Sequence, residues 1–197
     1  MRRFATSALL LAALCLTTGP ALSQTTGQPA PAGFGFADKR PVTLAVAEVI
    51  VQSDYVPPVR DPYVDHLIPV TPTDAVRLWA QDRLRTGAPD GTARIIVKEA
   101  SVMEVPLERT EGVRGWFTKD QSERYTGKLT VEIVVDTPSL GQGIASANVS
   151  RSTTVPEDVS LAEREKVMLT LVRDLIRDLD TQLEPAIRTH LAPMVVE

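Results

Sequence analysis

The chain has 197 residues, 25 acidic and 21 basic, for a net charge of −4, and a single cysteine. That balance excludes a general attraction to nucleic acid or to anionic lipid, and the length suits one hydrophobic core. One cysteine excludes an internal disulfide framework.

The first residues have the three parts of a secretory signal. Arg2 and Arg3 form the charged start, Phe4 to Leu16 an apolar run, and Ala21-Leu22-Ser23 a small-residue site for a signal peptidase. Cleavage is expected between Ser23 and Gln24. The apolar run is too short for a transmembrane helix, which needs roughly 20 apolar residues. No transmembrane helix is therefore expected in the mature chain. Export points to a bacterial periplasm. Cys15 follows the bulky Leu14 within Leu11-Ala12-Ala13-Leu14-Cys15, a poor context for lipidation, so it reads as an ordinary signal residue. Removing residues 1–23 leaves 19 basic and 25 acidic side chains, 19 − 25 = −6, normal for a soluble domain.

Residues 24–40 are rich in Thr, Gly, Pro and Ala and read as a flexible tether. Phe34 and Phe36 are its sticky elements, expected to dock on the domain, with a partner as the other option. A single α+β domain is expected over residues 41–192. Val42 to Val51 reads as its first strand, with a phase shift that suggests a bulge. Tyr55 to Val70 is proline-rich and is expected to wrap the domain edge.

Thr71-Pro72-Thr73-Asp74 is a helix start, with Thr71 at the N-cap and Pro72 at the first helical position. Val76, Trp79, Ala80 and Leu84 recur at helical spacing, and Gly87 is expected to end the helix. Ala93 to Val105 and Lys128 to Val135 read as the second and third strands, Ile144 to Thr153 as the fourth. The third and fourth are expected to pair as an antiparallel hairpin around Gly141 to Gly143. Ser160-Leu161-Ala162-Glu163 is a capping box. Met168, Leu171, Val172, Leu175, Ile176, Leu179 and Leu183 form one apolar stripe. Arg173, Asp174, Arg177, Asp178 and Asp180 read as the solvated face. Pro185 should kink or end the helix.

The order is β-α-β-β-β-α. The fold class expected is α+β, a mixed four-stranded sheet with two helices on one face and a polar opposite face.

No catalytic or metal site is expected, and no cofactor. His66 and His190 have no second ligand at metal spacing. Gly141-Gln142-Gly143-Ile144-Ala145-Ser146 sits between two strands, whereas a dinucleotide fingerprint joins a strand to a helix, so it reads as a hairpin turn. An enzyme or small-ligand site would have to use Asp61, Asp65 and His66 in the 55–70 loop. The stronger candidate is a contact loop with Arg114, Trp116, Phe117 and Lys119. Adjacent aromatics on a basic, Gly-flanked loop suit a protein or membrane interface, or fold back over the bare sheet edge.

The element order behind a signal and a tether resembles the architecture of accessory lipoproteins in bacterial envelope lipid transport and of the lipopolysaccharide-assembly lipoprotein. Separately, Asp65-His66-Leu67-Ile68-Pro69, Trp79-Ala80-Gln81-Asp82-Arg83-Leu84 and Arg151-Ser152-Thr153-Thr154-Val155-Pro156-Glu157 resemble signatures of an uncharacterised family of exported proteobacterial proteins. The function expected is a non-catalytic envelope adaptor or accessory subunit. Its partner would be another envelope protein or a lipid-linked assembly, with no nucleic acid.

Overall fold

The computed structural model describes residues 33–107, 121–156 and 158–196. Residues 1–23, and the contact-loop candidates Arg114, Trp116, Phe117 and Lys119, lie outside the described residues.

The fold is α+β, with two sheets and two long helices. Strands β2 (Glu48–Ser53), β4 (Thr92–Pro106), β5 (Gln121–Thr137) and β6 (Gly141–Pro156) form a four-stranded sheet in the order β2-β4-β5-β6. β2 runs parallel to β4, as a connection through helix α1 (Pro72–Arg83) requires. β4, β5 and β6 are an antiparallel meander. A second sheet joins three short strands in the order β3-β1-β7: β1 (Val42–Leu44), β3 (Leu84–Thr86) and β7 (Val195–Val196).

The second sheet corrects the expectation of one strand from Val42 to Val51. The phase shift in that segment is a change of sheet, not a bulge. Val42–Leu44 pairs with Leu84–Thr86 and with Val195–Val196. The chain then turns through the fully buried Val46 before Glu48 enters the larger sheet. The same arrangement moves the end of the first helix. It stops at Arg83, and Leu84 leads directly into β3. Gly87 instead lies just past β3, where a side chain would meet Thr43 Cγ2 at 2.6 Å.

A bulge does occur in β4, between Val97 and Glu99. It keeps Ala93, Ile95, Val97, Ala100 and Val102 buried under the helices, although they do not keep strict alternation. Opposite them, Leu129, Val131, Ile133 and Val135 of β5 and Ala145, Ala147 and Val149 of β6 complete the sheet's core face. The other face carries Arg94, Lys98, Lys128 and Asp136 and a ladder of Ser, Thr and Asn. Asn148 Nδ2 donates to Thr130 Oγ1 at 3.0 Å, and the Thr126 and Ser152 hydroxyls lie 2.9 Å apart.

Helix α2 (Leu161–His190) returns antiparallel over β6 and β5. Ser160 accepts from the Glu163 N–H while Glu163 reaches back to the Ser160 N–H, the expected capping box. Ser160→Ala is expected to lower stability by about 0.5–2 kcal/mol, read as a shift in the midpoint of urea unfolding at unchanged slope. The helix continues through Pro185 instead of ending there. Ile187 and Leu191, one and two turns beyond Leu183, are both buried, and their packing offsets the lost backbone bond.

Residues 33–40 are part of this core. Phe34 and Phe36 are 2% and 4% exposed. Arg173 of α2 lies over the Phe34 ring at 5.5 Å. The Phe36 N–H donates to Asp82 Oδ2 of α1 at 2.8 Å. The segment is a strap across the seam between α1 and α2.

Candidate functional site

The antiparallel return of α2 places its first turns over the last residues of β6. A groove of about 540 Å³ opens there, with Val159, Val167 and Leu171 as its apolar side and Lys166, Asp174 and Arg151 on its rim. A shallower depression lined by Arg124, Ser152, Thr153 and Thr154 adjoins it. Arg151 reaches from β6 to α2. Its Nε and Nη2 donate to the two oxygens of Asp178 at 2.8 and 2.9 Å, and Asp174 lies 3.9 Å away. This fork fixes α2 along the edge strand.

At the same end, Arg164 of α2 gathers three groups from the sheet. It donates to the Tyr125 hydroxyl at 2.8 Å, pairs with Glu123, and lies 3.7 Å from Glu104. Tyr125 is fully buried. Burial pushes its phenol up to about 12, against the opposing hydrogen bond from Arg164. The folded value is thus above the ordinary value of about 10. The stability held in the neutral phenol is fully present below about pH 10 and is lost as the pH rises toward 12. Spectrophotometric titration is expected to show late tyrosine ionisation, of which Tyr125→Phe removes the component near pH 12.

The 55–70 loop closes the β4 edge, as expected for an edge-wrapping segment. Tyr63 bridges to Met103, and the Val64 N–H donates to the Val102 carbonyl at 2.8 Å. Asp65 points inward, 1% exposed, and accepts from the Tyr55 hydroxyl at 3.4 Å. Burial, and then the Asp65 charge, push the Tyr55 phenol up. Asp61 and His66 are on the surface. Asp65 is therefore buried away from the surface that carries Asp61 and His66, and none of the three lines either groove described above. The loop's exposed apolar groups are Val56, Val59 and Leu67.

Sequence reasoning missed the most connected polar group. Asp180, read as part of the solvated face, is 0% exposed. Its Oδ1 accepts from Trp79 Nε1 at 2.8 Å and Arg83 Nε at 2.7 Å, and its Oδ2 from Lys39 Nζ at 2.6 Å. Arg83 continues to Glu184 at 2.7 Å and to the Arg40 carbonyl. The signal was present in the spacing. Asp180 follows Ile176 by four residues and precedes Leu183 by three, which puts it on the edge of the apolar stripe.

No family model matches the chain, and the curated proteins hold no match to it. The structure is distantly similar to those of bacterial minor lipoproteins. Rare lipoprotein B from Shewanella oneidensis is 16% identical, with a TM-score of 0.38 over 72% of this chain and 95% of that one. A minor lipoprotein from Acinetobacter baumannii is 14% identical, with a TM-score of 0.37 over 78% and 98%. Lipoprotein B from Nitrosomonas europaea is 12% identical, with a TM-score of 0.36 over 75% and 86%.

Proposed function

We propose that this protein is a non-catalytic, exported component of the bacterial cell envelope, an adaptor or accessory subunit that binds another envelope protein or a lipid-linked assembly. The observation that carries the reading is the three-part export signal from Arg2 to Ser23 ahead of a folded α+β unit. No helix among the described residues is long and apolar enough to cross a membrane. Contact with the assembly falls to the aromatic loop with Arg114, Trp116, Phe117 and Lys119.

The test has two arms. Mass spectrometry of the exported protein should find Gln24 at the N-terminus and no lipid on Cys15. Crosslinking in intact cells should trap an envelope protein with the wild type and lose it with Trp116→Ala/Phe117→Ala. A cytoplasmic product that keeps residues 1–23 overturns the export reading. A trapped partner that the double variant retains moves the contact away from the loop.

A further inference from the structure

The two edges of the large sheet end differently. On one side α2 lies over the outer strand β6, and Arg151 ties strand to helix. On the other side the outer strand is β2. It pairs with β4 along its whole length, Glu48–Ser53, and among the described residues no strand pairs with its outer edge. The backbone N–H and C=O groups along such an edge are a template for another extended chain. Lysines, prolines and bulges usually guard against that pairing, and β2 has none of them.

A groove of about 520 Å³ runs beside this edge, between β2 and α1. Trp79 and Arg83 point from α1 to Asp180 on α2, and the groove follows another flank of the helix. Its floor is apolar. Val49 and Val51 of the strand are half-buried there, and Ala80 and Leu84 are buried. Strand alternation turns Glu48 and Ile50 to the opposite face, where both are exposed.

The rim is basic. Arg77 and Arg85 are both exposed on it. Arg77 pairs with Asp74, but both side chains are about half exposed, so that pair is weak. Arg85 donates to the Gln81 and Leu84 carbonyls at 2.6 and 2.8 Å. Those bonds fix its position and leave its charge unmatched by any carboxylate among the described residues. The Ala88 N–H donates to the Val46 carbonyl at 3.2 Å, which sets Arg85 and Thr86 beside the start of β2.

We infer that the outer edge of β2 is a docking site for an extended segment of a partner polypeptide, which joins the large sheet as a fifth strand. The inference rests neither on the export signal nor on the aromatic loop. The edge calls for an extended backbone, the floor for apolar side chains at alternate positions, and the rim for an acidic residue. Antiparallel pairing is the more stable per residue. A segment running that way ends beside the start of β2. Its alternate apolar side chains then lie over Val49 and Val51 against Ala80 and Leu84, and a carboxylate at its C-terminal end meets Arg85.

The probe is an amidated hexapeptide, the length of β2. It alternates threonine and valine, with glutamate in place of the last valine so that it shares their face. Amide chemical shifts of the isotope-labelled exported protein locate its binding. Shifts should fall on Glu48–Ser53 and on Arg77 to Thr86. Arg85→Glu should weaken binding about tenfold, the worth of one charge-assisted hydrogen bond, and a peptide with lysine for the glutamate should recover it. Circular dichroism checks that the variant is folded. A peptide N-methylated along its backbone should not bind, because it cannot pair with an edge. Four results would overturn the inference. One is no shift at millimolar peptide, as when the edge is already held by another part of this chain. Another is a set of shifts elsewhere on the molecule. The third is an N-methylated peptide that binds as well as the parent, which would make the groove a pocket for apolar groups alone. The fourth is equal binding of the glutamate and lysine peptides to the wild type.

Discussion

Replacing Asp180 with alanine is expected to destabilise the protein by about 3–5 kcal/mol, the usual loss when one partner of a buried ion pair is removed. Arg83 is 2% exposed and cannot turn to water. Without Asp180 it keeps Glu184 and the Arg40 carbonyl but loses its buried counter-charge. The Trp79 indole N–H loses its acceptor at the same time. Lys39 is 42% exposed at its side chain, so its share of the loss is small. Urea unfolding at neutral pH measures the total. Asp180→Asn tests the cause. It keeps the shape and one acceptor, and should recover part of the loss if the charge and the hydrogen bonds both contribute.

The same group makes stability depend on acid. Burial alone would push the Asp180 carboxyl up. The hydrogen bonds from Lys39, Trp79 and Arg83, with the Arg83 charge, outweigh burial and hold it below the usual range. Its folded value is therefore lower than its unfolded value. The stabilisation is present above the unfolded carboxylate value of about 3.9 and is lost as the pH falls through the lower folded value. Denaturation at a series of acid pH values should show this slope in the wild type and a shallower one in Asp180→Asn.

Replacing Phe34 with alanine is expected to destabilise by about 3–5 kcal/mol, the range for truncating a buried aromatic. Phe34 is buried in the same cluster as Trp79, Ile176 and Leu179. Its removal opens a cavity and strips the ring from beneath Arg173. A free tether would show no effect from this substitution, so calorimetry of Phe34→Ala separates strap from tether in one measurement. Gly33→Ala should act in the same direction, because Gly33 has φ +88° and its new methyl would meet Arg173 Nε at 2.5 Å.

The helices were legible because each announces itself locally. Thr71-Pro72 and Ser160 to Glu163 satisfy their own orphan N–H groups, and the α2 stripe keeps one period from Met168 to Leu183. The pairing of β5 with β6 was legible for the same reason, since the short connection around Gly141 leaves little choice. What was hidden depends on contacts between distant parts of the chain. Val42–Leu44 looks like the start of a longer strand until Leu84–Thr86 and Val195–Val196 come to pair with it. Asp180 looks solvated among Arg177 and Asp178 until Trp79 and Arg83, about 100 positions earlier, close over it. Gly33 to Arg40 has tether composition because its anchoring is sparse, with two phenylalanines and a lysine holding eight residues. The 55–70 loop shows the reverse case. Asp61, Asp65 and His66 are close in sequence, yet only Asp65 turns inward.

The strap also sets the mechanics of the molecule. A pull on the chain ahead of Gly33 arrives first at Phe34, then at the Phe36 bond to Asp82, then at Lys39 on Asp180. Each anchor loads the seam between α1 and α2, while the sheet on the far side of the core bears no direct tension. Under force, the two helices would part before the strands slide.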